Sequence, residues 1–143
     1  MQIKQLSIFV ENKSGRLAEI TALISGNGIN IRALSIADTS DFGILRLIVD
    51  QPELAVTVLK AAGLAVTLTM VIAVSIPDEP GAFARAIAAL SGAGVEIEYM
   101  YAFISRSEGN AFVILRLQNN EKGIVTLRES GFTILDSEKI YHM

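Results

Sequence analysis

The chain repeats itself once, and that repeat constrains its folding more than any other feature. An acidic or amide residue, two further residues, a glycine and then, one residue on, a large apolar residue occur as Asn12-Lys13-Ser14-Gly15-Arg16-Leu17 and again as Asp78-Glu79-Pro80-Gly81-Ala82-Phe83. The offset is 66 residues, from Gly15 to Gly81, and it also aligns residues 20–31 (ITALISGNGINI) with residues 86–97 (AIAALSGAGVEI). Further on, Ile44-Leu45-Arg46-Leu47 returns as Ile114-Leu115-Arg116-Leu117, and residues 56–63 return as 124–131, with the offset drifting as loops change length. A period seen only twice suits two small domains, since a solenoid needs at least about three stacked repeats. The boundary expected from the repeat lies near Thr69, giving domains 1–69 and 70–143.

Periodicity places the elements. Leu6, Ile8 and Val10 alternate with Ser7 and Phe9, the period of two that marks a strand. Each duplicated motif then opens a helix, with Leu17, Ile20 and Ile24 on one face in the first copy and Phe83, Ile87 and Leu90 in the second. Both helices run into glycines, Gly26 and Gly28 or Gly92 and Gly94, which suit left-handed C-terminal caps. Strands follow at 29–37 and 95–104, turns at 38–43 and 105–110, third strands at 44–49 and 112–117, and second helices at 53–62 and 121–130. Each half thus reads strand, helix, strand, strand, helix, strand. This is the ferredoxin-like order, an α+β fold with both helices on one face of an antiparallel sheet. Several strands are apolar on both faces, so the helix-free face is expected to pack on another sheet, which predicts a homodimer or higher homo-oligomer. From Leu64 the chain reaches Pro77 without a turn residue, which leaves open a long strand shared or exchanged between halves. Tyr99, Tyr101 and Phe103 form a stripe expected to lie in the core under the helices.

Composition removes several classes of function. Twelve basic residues stand against 15 acidic ones with no basic run, which argues against a nucleic-acid partner. There is no cysteine and a single histidine, His142, so thiolate nucleophiles and multi-histidine metal sites are excluded and a cytoplasmic setting is expected. The uncharged stretch 61–76 is shorter than the roughly 20 residues a membrane span needs and is rich in β-branched residues, so it reads as strand. The N-terminus lacks the apolar core of a signal peptide. Gly26-Asn27-Gly28 follows a helix instead of opening one, unlike a dinucleotide loop. The carboxylate pairs Asp38/Asp41, Asp78/Glu79 and Glu96/Glu98 stand in turns or on solvated faces. No catalytic, metal or cofactor constellation emerges.

A loop that ends a strand and begins a helix leaves backbone N–H groups unpaired, and with the helix dipole these attract an anion such as a carboxylate. Glycine at positions 15 and 81 allows close approach. The oxygen of Asn12 or Asp78 can hold an ammonium group, so the loop suits both ends of an α-amino acid; the plainer alternative is that these residues only cap their helices.

With motif and context together, the chain resembles two tandem ACT domains, small regulatory modules of amino-acid metabolism. The resemblance spans essentially the whole length and rests on Asn12, Gly15 and Leu17 with Asn30-Ile31, and on Asp78, Pro80, Gly81 and Phe83 with Glu96-Ile97. It implies two ferredoxin-like βαββαβ domains whose antiparallel sheets pair side by side through their second strands, with an amino acid at the seam. Carried over by position, the ligand residues of one site are Asn12, Lys13, Ser14, Gly15, Arg16 and Leu17 facing Val95, Glu96 and Ile97. The reciprocal site takes Asp78, Glu79, Pro80, Gly81, Ala82 and Phe83 facing Ile29, Asn30 and Ile31. Ser14 stands where the family usually has proline and Glu96 where it has asparagine, so the two sites are expected to be unequal. The expected function is a non-catalytic amino-acid sensor acting through oligomerisation or on a separate metabolic enzyme. The alternative is a ligand-independent assembly module.

Overall fold

The computed structural model describes residues 1–11, 13–38, 41–103 and 109–143. Asn12, residues 39–40 of the first expected turn, residue 104 and residues 105–108 of the second lie outside the described residues. In chain order the elements are β1 (Ile3–Glu11), α1 (Arg16–Gly26), β2 (Ile31–Asp38), β3 (Phe42–Val49), α2 (Pro52–Ala61), β4 (Ala65–Pro77), α3 (Ala82–Gly92), β5 (Ile97–Ala102), β6 (Asn110–Leu117), α4 (Asn120–Glu129), β7 (Thr133–Ile134) and α5 (Ser137–Tyr141). Among the described residues no helix is long and apolar enough to cross a membrane.

The chain forms two compact units. A first-repeat unit comprises Lys4–Thr69 with Tyr141–Met143, and a second-repeat unit comprises Met70–Ile140 with Met1–Ile3. In the first, the strand order is β2-β3-β1-β4; in the second it is β5-β6-β4-β7. β4 is unbroken from Ala65 to Pro77, so it closes one βαββαβ order and opens the next. That is the shared strand the turn-free stretch left open.

Each unit has its own core, for the reason periodicity gives. In the first, Leu6, Ile8, Leu45 and Leu47 on the sheet pack beneath Ile20 and Ile24 of α1 and Ala55 and Leu59 of α2. In the second, Ile72, Val74, Val113 and Leu115 pack beneath Ala86 and Leu90 of α3 and Ile124 and Leu127 of α4. Fully burying one such Val, Leu or Ile side chain contributes about 1.5–3 kcal/mol.

The tyrosine stripe departs from expectation. β2 shifts register between Ile31 and Ala33, and β5 does so between Ile97 and Tyr99. An extra residue in one strand reverses the facing of all that follows. Tyr99 and Tyr101 therefore align with Arg116 and Ile114, on the side away from the helices, while Met100 aligns with Leu115 and packs on the core. Phe103 meets Phe112 edge-on at 6.2 Å between ring centroids, also on the helix-free side.

The C-terminal elements are a second departure. The last strand is only Thr133–Ile134, pairing with Ser75 and Val74 of β4, and a short helix follows it. Lys139 of α5 stands 5.8 Å from the Phe112 ring centroid, so in this unit α5 reaches the helix-free face, and Ile140 is fully buried.

Candidate ligand-binding site

The duplicated motif folds into the same turn twice. Gly15 precedes α1 at φ 82° and Gly81 precedes α3 at φ 88°. Both lie in the left-handed region, where a side chain is costly, which is why glycine recurs. Among the described residues no side chain caps either helix, so Asp78 does not serve α3 in that role; Asn12 lies outside the described residues. The turns close through the backbone: the Arg16 N–H donates to Lys13 O at 3.2 Å and the Ala82 N–H to Glu79 O at 3.3 Å. The helical ladders begin only with Glu19 N–H to Gly15 O and Arg85 N–H to Gly81 O, both 3.0 Å. The amides of Leu17 and Ala18, and of Phe83 and Ala84, precede those first rungs at the positive end of each helix dipole.

The flanking side chains make the two loops electrically different. In the first, Lys13 Nζ pairs with Glu11 at 2.8 Å and Arg16 Nη1 with Glu19 at 3.2 Å, while Arg16 Nε is buried without a hydrogen-bond partner. The hydrogen bond from Lys13, then its charge, holds the Glu11 carboxyl below the usual carboxylate range. In the second, Asp78, Glu79 and Pro80 are exposed, and Arg85 pairs with Glu79 at 3.1 Å. The Asp78 N–H is taken by Gly109 O at 3.0 Å, leaving its carboxylate outward.

Within each unit the expected residues fall into separate places. Lys13, Arg16 and Leu17 line a small groove of about 110 Å³ with Val10, Ile36 and Gly43. Ile29, Asn30 and Ile31 lie beyond the far end of α1, beside an open depression of about 400 Å³ with Ala18, Thr21 and Ala22. Its counterpart, about 460 Å³, is bordered by Val95, Glu96 and Ile97 with Ile87 and Ser91. The side chains of Ile29 and Val95 are in the cores, so only their backbones face outward; Ala82 is also buried. The Asn30 N–H donates to Asp50 Oδ1 at 2.9 Å and the Asp50 N–H returns a bond to Asn30 O at 3.1 Å, which fixes the start of β2. Sequence reasoning missed Ile36 and Gly43. The signal was the one glycine in β3, directly across from Val10, where a missing side chain leaves the groove open.

The paired βαββαβ units and their twin glycine turns define a two-module ACT architecture. The family described as the ACT domain pair matches residues 1–143, and the chain belongs to it; ACT pairs are regulatory modules. It is similar, at 44% identity, to a protein of Bacteroides thetaiotaomicron whose crystal structure aligns with a TM-score of 0.93 over 100% of this chain and 98% of that one. The regulatory subunit of aspartate kinase from Thermus thermophilus, in its ligand-free form, aligns at 0.66 with 17% identity, covering 91% of this chain and 94% of its own. The corresponding Thermus flavus subunit aligns at 0.61, also with 17% identity, covering 90% and 93%. At such identity these two speak for the fold alone. None of the curated proteins matches the chain.

Proposed function

We propose that this ACT pair is a non-catalytic cytoplasmic sensor, binding a free amino acid where a first-repeat and a second-repeat domain abut. It signals by changing its own assembly or by docking on a separate metabolic enzyme. The observation that carries this reading is the pair of helix starts behind left-handed glycines at 15 and 81, whose amides ahead of the first helical rungs suit a carboxylate. Asp78, exposed beside one of them, is the partner for the ligand's ammonium group, and Asn12 fills that role in the other loop. The residues 29–31 and 95–97 flank the side chain of the ligand. The Lys13 and Arg16 pairs facing Glu96 in one site, and the outward Asp78 facing Asn30 in the other, make the two affinities unequal. Binding shifts an assembly only through different affinities for its two states.

Calorimetric titration with each proteinogenic amino acid tests the proposal. One of them binds, and the double variant Gly15→Glu, Gly81→Glu abolishes the heat while far-ultraviolet circular dichroism is unchanged. If none binds at millimolar concentration, the sensor reading fails. A ligand-independent assembly module is the second reading, favoured by exposed apolar side chains at Leu34, Ile36, Phe83 and Ile87 that need no ligand to be covered. It predicts that the same double variant leaves self-association intact in a protein that binds no amino acid.

A further inference from the structure

Gly43 stands in β3 at a place where the backbone does not require a glycine. Its φ is outside the left-handed region, and the second repeat carries Ala111 there, across from Ile76 as Gly43 is across from Val10. An added Cβ would meet Ala37 O at 3.2 Å and Ile36 Cγ1 at 3.8 Å, a tight contact that a small shift relieves. Glycine inside a strand weakens it, and such a position often marks a place where something must approach closely.

What the missing side chain leaves is the groove of about 110 Å³ behind the first glycine turn. Its walls are apolar: Gly43 and Val10 on neighbouring strands, Ile36 on β2 and Leu17 on α1. Val10 is buried, whereas Leu17 and Ile36 are 41% and 49% exposed, so the wall they form still has apolar surface to cover. The charged side chains at the rim already hold partners, Lys13 on Glu11 at 2.8 Å and Arg16 on Glu19 at 3.2 Å. Arg16 Nε has no partner but is buried, so the contents of the groove do not touch it. A charged or amide group entering this space would lose water without gaining a ready partner. At about 30 Å³ for a group the size of a water molecule, the groove takes three or four carbon atoms. That is an isopropyl or a butyl group; a methyl leaves most of the space empty, and a benzyl group overfills it.

We propose that this groove is the side-chain subsite of the first-repeat loop and selects a branched aliphatic amino acid, valine, leucine or isoleucine, with Gly43 and Ile36 setting the limit on size. The inference rests on the sensor reading, which puts the ligand's carboxylate at the amides of Leu17 and Ala18 and residues 95–97 on its other side. Leu17 joins the two parts of the site. Its amide stands ahead of the first helical rung and its side chain rims the groove, so a carboxylate held at the helix start sets the ligand's side chain at the groove's mouth.

Calorimetric titration of the full chain with valine, leucine, isoleucine, alanine, phenylalanine, aspartate and glutamate tests the class. The branched ligands bind with dissociation constants lower by about tenfold or more than alanine, phenylalanine or either acidic amino acid. Two variants then change the groove in opposite directions, with melting curves as the check on folding. Gly43→Ala takes up about a quarter of the space. It raises the isoleucine dissociation constant about tenfold and leaves that for alanine within about threefold of the parent value. Ile36→Ala, at a half-exposed position where truncation spares the core, removes a wall. It weakens isoleucine binding about tenfold and narrows the gap to phenylalanine. Should Gly43→Ala not fold, Ile36→Ala carries the test alone. A preferred ligand of another class, or a branched ligand bound equally by the parent and the folded variants, overturns the inference and leaves the sensor reading standing. Absence of binding by any amino acid overturns both.

Discussion

Glycines in this chain do different jobs, and only some of those jobs are readable from sequence. Gly15 and Gly81 recur at a fixed offset in a motif, so their backbone role was legible, and the φ values supply the reason. Gly123 carried no such sign. It sits inside α4 where the first repeat has Ala55, and a Cβ there would lie 2.1 Å from Leu117 Cδ1 and 3.7 Å from Leu90 Cδ2. The helix has been brought against the sheet to a distance only a missing side chain permits. Replacing Gly by Ala in a helix gains about 1 kcal/mol of propensity. Here that gain meets an overpacking cost of about 1–3 kcal/mol, because the added Cβ would press on Leu117, a core side chain. Gly123→Ala is therefore expected to lower stability in urea denaturation by about 1 kcal/mol net. Gly92→Ala, where the added Cβ meets nothing within 4 Å and φ is not positive, is expected to leave stability equal or slightly higher. The reverse order would refute this account of α4 packing.

At the scale of elements, the alternation that found the strands also misled where it was broken. Ile97 to Phe103 reads as a plain period of two, which puts the tyrosines on the same side as Ile97 and hence under the helices. The register shift after Ile97 costs one step of the pattern, and Met100 takes the core side in their place. Nothing in the residue types of Glu98 or Arg32 announces such a shift; only the repeat of the shift at the same place in both halves shows that it belongs to the architecture. The facing can be measured. Met100→Lys forces an ammonium group toward the Leu115 side of the sheet and is expected to cost about 1–3 kcal/mol. Tyr101→Lys, on the face away from the helices, is expected to cost less. If chemical denaturation ranks the two the other way, the strand alternates as its sequence suggested and the register is wrong. The end of the chain was illegible for a simpler reason: β7 has two residues and α5 five, too few to display a period of either kind.

At the scale of the whole molecule, duplication announced two βαββαβ orders, while the turn-free stretch into Pro77 left a shared or an exchanged strand open and the destinations of the chain termini were hidden. Local patterning carries no information about contacts separated by more than a hundred residues. Tyr141 belongs to the first-repeat unit, where its hydroxyl accepts the Lys4 N–H at 2.8 Å. Met1–Ile3 belong to the second-repeat unit, where Ile3 is fully buried and Gln2 Oε1 accepts from Asn120 Nδ2 at 3.1 Å. Asn120 is a hub there: it also donates to Met70 O at 2.8 Å and accepts the Leu117 N–H at 3.1 Å, tying the start of α4 to the end of β6. Residues at the very start of the sequence therefore stabilise a unit that begins at Met70. Ile3→Ala removes a buried side chain whose loss costs about 2–5 kcal/mol, whereas truncating an exposed residue of β1 such as Phe9 falls on solvent and costs far less. Amide hydrogen exchange locates the effect. In Ile3→Ala, protection is expected to fall in α4 and β6, far along the chain, and to hold in α1 and β3. Loss confined to the first repeat would mean that the N-terminal residues serve the repeat they are encoded with.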